Sequence, residues 1–221
     1  MNNLNNPYSL LVFDWDGTLI DSIEQITSSL QVASKMIFNE KVTEEAARSV
    51  IGLGLQEAIE LLHPNEPQAL IEKMADAYRH HYLHENNVPA PLFEGVIDML
   101  DTLFSKGFTL AIATGKSRTG LDHSLTEHPV RHYFATTRCA GENKSKPHPE
   151  MLQGILNDTE TDTKYALMIG DSEHDLMMAK NANVDAVAVT HGAHTADRLM
   201  EHKPLLCLDR ITDLSNLLTL N

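Results

Sequence analysis

The period of the hydrophobic positions changes along this chain, and the changes divide it into three stretches. The first is short. Leu10-Leu11-Val12-Phe13 is an apolar run without alternation, as a strand buried on both faces requires, and it predicts a parallel strand over Ser9–Phe13. In the second stretch the period becomes helical, with Ile23, Ile26, Leu30 and Ala33 on one face of a helix running to Ile37. Ser22-Ile23-Glu24-Gln25 has the Ser-x-x-Gln pattern of a capping box at its start. Thr43 is expected to cap a second helix, with Glu44 and Glu45 in its first turn. Ile51-Gly52-Leu53-Gly54-Leu55 interrupts it, and the helical pattern resumes over Gln56–Leu62. After the loop His63–Pro67, a long helix is expected over Gln68–Leu83. No strand signal occurs between Ile20 and Pro89.

The third stretch begins after the proline-containing linker Val88–Val96. A helix over Ile97–Ser105 stops at Lys106-Gly107, with glycine at its C-terminal cap. Strands follow at Phe108–Ala113, Phe134–Thr136, Ala166–Ile169 and Ala186–Val189, with a short edge strand at Leu205–Leu208. Between them lie helices over His148–Asn157 and Asp175–Asn181, in which Met177 and Met178 read as core residues. Strands alternating with helices imply parallel pairing and right-handed crossovers. The expected fold is therefore α/β: a doubly wound, Rossmann-like parallel sheet core (1–19 and 90–221) with an inserted α-helical cap (20–89).

Composition narrows the partners. A formal net charge of −14 over 221 residues argues against nucleic acid and against an anionic membrane surface. Cys139 and Cys207 read as small buried hydrophobes of a reducing compartment, not as a disulfide framework. Met1-Asn2-Asn3-Leu4-Asn5-Asn6-Pro7 lacks the charge and apolar core of a signal peptide, and no apolar run is long enough to span a bilayer. The expectation is a soluble cytoplasmic protein, monomer or homodimer.

The chemistry gathers at strand ends. Asp14 and Asp16 follow the first strand, Thr114 follows the second, and Asp171 follows Ala166–Ile169, with Asp175 one turn later. Lys146 precedes a helix start. In a doubly wound sheet such ends lie along one edge, so these groups can converge. Carboxylates beside a lysine and a hydroxyl suit a hard divalent cation and a phosphate.

Asp14-Trp15-Asp16-Gly17-Thr18-Leu19-Ile20-Asp21-Ser22, Ala113-Thr114-Gly115-Lys116, Ser145-Lys146-Pro147-His148-Pro149 and Ile169-Gly170-Asp171-Ser172 with Asp175 occur in this order. Together they resemble the four motifs of the haloacid dehalogenase-like superfamily, in its phosphoglycolate phosphatase-like branch with a type 1 helical cap. The resemblance covers nearly the whole chain. It implies a Mg²⁺-dependent hydrolase of a small phosphomonoester, phosphoglycolate-like or a sugar phosphate, working through an aspartyl-phosphate. Asp14 would be the nucleophile and Asp16 the general acid and then base. Thr114 and the amide of Gly115 would hold the phosphoryl group, the backbone amide of Trp15 would also face it, and Lys146 would offset charge. Mg²⁺ would be held by Asp14, the main-chain carbonyl of Asp16, Asp171 and, through water or by orientation, Asp175. Lys116 and Arg118 either face the leaving group or begin a surface helix. Gly52 and Gly54 either form a specificity loop or simply break a helix.

Other readings remain in view. A phosphomutase would keep the same aspartates, and a binding protein on this fold would tend to lose them. A dehalogenase would lack the second aspartate. A phosphonatase would need a desolvated cap lysine, for which Lys35, Lys41 and Lys73 give no signal. His80, His81 and His84 read as a solvated helix end, since no third ligand stands in register for zinc, and His191 and His194 read as loop residues. Asn183 stands where a left-handed helix cap is expected.

Overall fold

The computed structural model describes residues 7–218. Residues 1–6, which carry most of the polar N-terminal stretch, and residues 219–221 lie outside the described residues. In chain order the elements are β1 (Leu10–Phe13), then α1 (Ile23–Phe38), α2 (Glu44–Ser49), α3 (Leu55–Leu62) and α4 (Gln68–His80). They continue with α5 (Val96–Ser105), β2 (Thr109–Thr114), α6 (Arg118–Glu127), β3 (Phe134–Cys139), α7 (Glu150–Asp158) and β4 (Ala166–Gly170). Last come α8 (Glu173–Asn181), β5 (Asp185–Val189), α9 (Ala196–Met200), β6 (Leu206–Leu208) and α10 (Leu214–Leu217).

The six strands form one parallel sheet in the order β3-β2-β1-β4-β5-β6. The chain winds outward from β1 to β3, returns to place β4 on the other side of β1, and winds outward again. The topological switch point therefore lies between β1 and β4, where doubly wound sheets bind their ligands.

The apolar run of β1 is buried on both faces, as its lack of alternation predicts. Leu11 and Phe13 join Leu110, Ile112, Leu167 and Ile169 in a layer packed by α5, α6 and α10. Leu10 and Val12 join Ala111, Ala113 and Met168 beneath α7 and α8. Full burial of such side chains stabilises by about 1.5–3 kcal/mol each relative to exposure. Met178 belongs to this second layer, whereas Met177 is only half-buried. Cys139 is buried, Cys207 is half-buried, and both are free thiols.

Helices α1–α4 bury their own apolar cluster, built on Ile23, Ile26, Leu30, Ile59, Ile71 and Met74, which Ala193 joins from the β5–α9 loop. Two chain segments connect this block to the sheet, and they pair with each other. Asp21 N–H donates to Pro91 O at 2.8 Å and Phe93 N–H to Leu19 O at 3.0 Å. Thr43 caps α2 as expected, its Oγ1 accepting from Ala46 N–H. The long helix differs from expectation, because it leaves α geometry after His80 and finishes in a single π-helical turn, His81–Glu85. Asn183 takes the left-handed conformation, φ 56°. Helices α6, α9 and α10 carry too few apolar positions to announce themselves; in α6 only Leu121 and Leu125 are buried hydrophobics. Among the described residues no helix is long and apolar enough to cross a membrane.

His63 closes the base of the helical block. Its ring stacks on Phe38 with centroids 4.1 Å apart, and its Nε2 lies 3.0 Å from Ser34 Oγ. Burial pushes its pKa below 6.5, against the opposing pull of Glu40 and Glu66. As pH falls through 6.5 the unfolded chain takes up this proton before the folded chain does, so stability drops. His63→Gln should therefore flatten the fall in Tm between about pH 7.5 and about pH 5.5, measured by thermal denaturation. Parallel falls in variant and parent would assign that pH dependence elsewhere.

Candidate active site

Asp14 leaves β1 at the switch point, its backbone N–H still bonded to Ile169 O of β4 at 2.9 Å. The chain then turns through Gly17 at φ +75°, a conformation that glycine adopts without strain. A Cβ at this position would also collide with Asp171 Oδ2. The turn holds Thr18 against β4, where its hydroxyl donates to Asp171 Oδ1 at 2.7 Å. Ala193 N–H donates to the other oxygen of Asp171 at 2.7 Å.

Lys146 enters from the segment before α7 and is fully buried. Its Nζ lies 2.7 Å from Asp14 Oδ1 and 2.6 Å from Asp175 Oδ1. The second oxygen of Asp175 accepts from Ser172 N–H at 3.1 Å and from the Ser172 hydroxyl at 2.6 Å, closing a capping box at the start of α8. Both oxygens of Asp175 are thus already engaged. Asp14 differs, for its buried Oδ2 has no hydrogen-bond partner, and its Oδ1 meets Lys146 as an ion pair without hydrogen-bond geometry.

Electrostatics follow from this packing. Burial pushes Asp14 well above 3.8; Lys146 opposes the shift, and Asp175 and Asp171 add to it. Asp171 is pushed up to about 7, by burial first and then by Asp175. Burial disfavours the Lys146 ammonium as well, but Asp14 and Asp175 outweigh it and keep the group charged. Three carboxylates against one ammonium would leave two uncompensated negative charges in a buried site. One carboxylate oxygen from each of Asp14, Asp171 and Asp175 lies within 4.8 Å of the other two, so the group fits a hard cation of Mg²⁺ type. The unpartnered Asp14 Oδ2 is the vacant donor that such an ion would need. The side-chain carboxylate of Asp16 is not part of this cluster.

Asp16 serves a neighbouring region. Its Oδ1 accepts from the Ser22 hydroxyl at 2.6 Å and lies 3.1 Å from Lys116 Nζ. Ser22 therefore does not complete the capping box expected of it; no side-chain cap bond forms, because the hydroxyl turns to Asp16. Lys116 also donates to Tyr82 Oη at 2.8 Å, reaching across to the helical block. Thr114 is buried, and its Oγ1 accepts from Lys116 N–H at 3.2 Å. Gly115 lies under the loop between α2 and α3, since a Cβ there would collide with the carbonyl of Leu53. Gly54 N–H donates to Ser145 Oγ at 2.7 Å, next to Lys146.

The remaining candidates lie apart from this chemistry. The Trp15 indole is buried and donates to Ser124 Oγ at 2.9 Å. Arg118 begins α6 and is paired with Glu142 and Thr137. His80 pairs with Glu85 and His81 with Ser29, while His84 is exposed. His191 contacts Thr18 O, and His194 Nδ1 accepts from Glu173 N–H. Thr18, Ser22, Tyr82, Ser145 and Ser172 are the contributors that reading the chain for carboxylates and lysines misses. All but Tyr82 stood inside the quoted motifs.

The profile of the family described as haloacid dehalogenase-like hydrolase matches residues 11–189. A protein of Dickeya dadantii named "Probable phosphatase IndB" is 32% identical over 210 residues, covering 92% of this chain and 90% of that one. A phosphoglycolate phosphatase of Agrobacterium fabrum is 29% identical over 206 residues, covering 90% of this chain and 88% of its own. The crystal structure of a hydrolase from Pseudomonas syringae superposes with a TM-score of 0.85 at 19% identity, over 94% of this chain and 96% of that one. At that identity the likeness speaks for the fold alone.

Removing the ammonium should expose how much the site leans on it. Lys146→Met, similar in length, leaves Asp14 and Asp175 facing each other in a buried site and should cost about 3–5 kcal/mol in urea denaturation near neutral pH. The deficit should shrink as pH falls, because carboxylates with raised folded-state pKa values favour the folded chain once protonated. An unchanged denaturation midpoint would show that the pair is not buried as described.

Proposed function

The chain belongs to the haloacid dehalogenase-like hydrolase family, and on that premise we propose that it is a Mg²⁺-dependent phosphatase of a small phosphomonoester. The observation that carries the reading is Asp14: a buried carboxylate at the switch point, ion-paired to Lys146 and with one oxygen left without a partner. Such a group can attack phosphorus. When bound, Mg²⁺ would be held by Asp14, the Asp16 main-chain carbonyl and Asp171, with Asp175 orienting Lys146, and would offset the negative charge of carboxylates and phosphate.

In the first step an Asp14 oxygen bonds to phosphorus and the bond from phosphorus to the ester oxygen breaks. Asp16 gives its proton to that departing oxygen, so an alcohol leaves and an aspartyl-phosphate remains. In the second, Asp16 takes a proton from water as the water oxygen attacks phosphorus, and Asp14 is released with inorganic phosphate. The Ser22 hydroxyl donates to Asp16 Oδ1, and the Lys116 ammonium is ion-paired with the same oxygen. The proton to be exchanged therefore belongs on Oδ2. Lys146 favours the ionised form of Asp14 and orients it, while Thr114 and the backbone amides of Trp15 and Gly115 take the transferring phosphoryl group. The helical block 20–89 acts as a cap over 1–19 and 90–221, excluding bulk water during transfer.

Metal removal and two aspartate variants test this reading. Chelation should abolish hydrolysis and Mg²⁺ restore it, with Ca²⁺ a poor substitute because its shell is larger and looser; full activity in excess chelator would refute the metal. Asp14→Asn should abolish phosphoryl transfer altogether. Asp16→Asn should fail on alkyl phosphates by about 10²–10⁴-fold yet retain more activity toward aryl phosphates, whose leaving groups barely need a proton. It should also accumulate phosphate on Asp14, visible by intact mass. Equal losses on both ester types would remove Asp16 from the acid role.

A further inference from the structure

Between the cap and the sheet edge lies a cavity of about 480 Å³, with Asp14 and Asp16 in its wall. Ile26 and Leu30 of α1, Ile51 of the cap loop and Leu55 of α3 form apolar walls. Tyr78 and Tyr82 add an aromatic one, their rings stacked with centroids 5.6 Å apart. The cavity is therefore larger and more apolar than a two-carbon acid would fill.

Its charges are more telling. Lys116 and Arg79 are the only basic residues among the described residues that line it. The Lys116 ammonium is already held between Asp16 and Tyr82. Arg79 is paired with Asp76 at 2.7 Å, with both side chains mostly in solvent. Lys146 lies behind Asp14 and does not line the cavity. Glu57 lines it and adds another negative charge. A carboxylate or second phosphate on the leaving group would thus face more acids than cations, with Lys116 already held and Arg79 at the solvent side, and would be disfavoured there. A neutral apolar or aromatic group would instead be drawn in by the walls.

We infer that the substrate of this phosphatase is the phosphomonoester of a neutral, largely apolar or aromatic alcohol, and that phosphorylated hydroxy acids, pyrophosphate and free sugar phosphates are poor substrates. This rests on the phosphatase reading above and narrows it.

The test compares kcat/KM of the full chain with Mg²⁺ on benzyl phosphate and 4-carboxybenzyl phosphate, which share a reacting centre and differ by one carboxylate. 2-Phosphoglycolate, pyrophosphate, glucose 6-phosphate and p-nitrophenyl phosphate complete the panel. Benzyl phosphate should exceed its carboxylated partner, phosphoglycolate, pyrophosphate and glucose 6-phosphate by about tenfold or more. Parity, or preference for any of those four, would overturn the substrate class while leaving the phosphatase reading in place. No hydrolysis of any compound, p-nitrophenyl phosphate included, would refute the phosphatase reading and the substrate class with it. Placing a cation in the cavity by Leu55→Arg, or by Leu53→Lys should the first variant not fold, should narrow the benzyl to carboxybenzyl ratio by about tenfold. An unchanged ratio in a folded variant would count against the cavity as the seat of the leaving group.

Discussion

Lys146 carries a positive charge into a pocket from which its own side chain is wholly excluded from solvent, where an unpaired ammonium would not survive. Asp14 and Asp175 flank it, and the charges of all three groups are held by one another. The three groups come from the end of β1, the segment before α7 and the first turn of α8. Their mutual need fixes three separate parts of the chain against one another. Ser172 extends the arrangement by engaging the other oxygen of Asp175, and Thr18 with Ala193 does the same for Asp171. Every carboxylate in the cluster is thereby immobilised except for one oxygen, on Asp14. That buried oxygen is left without a partner while the groups around it are satisfied.

A second, smaller network belongs to Asp16. Ser22 stands at the entrance to α1 and Lys116 reaches Tyr82 beyond the end of α4, so both partners of Asp16 Oδ1 are tied to the helical block. Asp14 has no such tie, its contacts lying within the sheet side of the molecule. The two aspartates stand two residues apart in sequence yet report to different parts of the structure. One senses the sheet edge, and the other senses where the helices sit above it.

Much of this was legible in the residues. The non-alternating run of β1, the acids that end it and the glycine turn specify a buried strand feeding a site, because little else tolerates that order of residues. The alternation after Gly95 likewise fixed a parallel sheet. What local pattern could not supply was the partner of each polar group. Ser22 satisfies the capping-box pattern, but a buried carboxylate is a stronger claimant for a hydroxyl than a helix end that water can reach. Tyr82 carries no mark of its role, because its partner Lys116 lies 34 residues away and meets it only once the helices are folded over the sheet. The extent of helix α6 carries little sequence signal for a related reason. One of its buried positions is Ser124, which is polar in sequence and becomes interior only through the Trp15 indole.

The paired segments at the base of the helices carry a consequence of their own. Since Leu19 and Asp21 bond to Phe93 and Pro91, the chain leaves the sheet and returns to it at adjacent points. To the sheet, the entire helical block is one long excursion whose ends are already fastened, so its length adds little to the entropy of closing the loop. Such an insertion can be lengthened, reshaped or exchanged for another without disturbing strand register beneath it. The sheet edge and the helical block above it can therefore diversify at different rates in descendants of one chain.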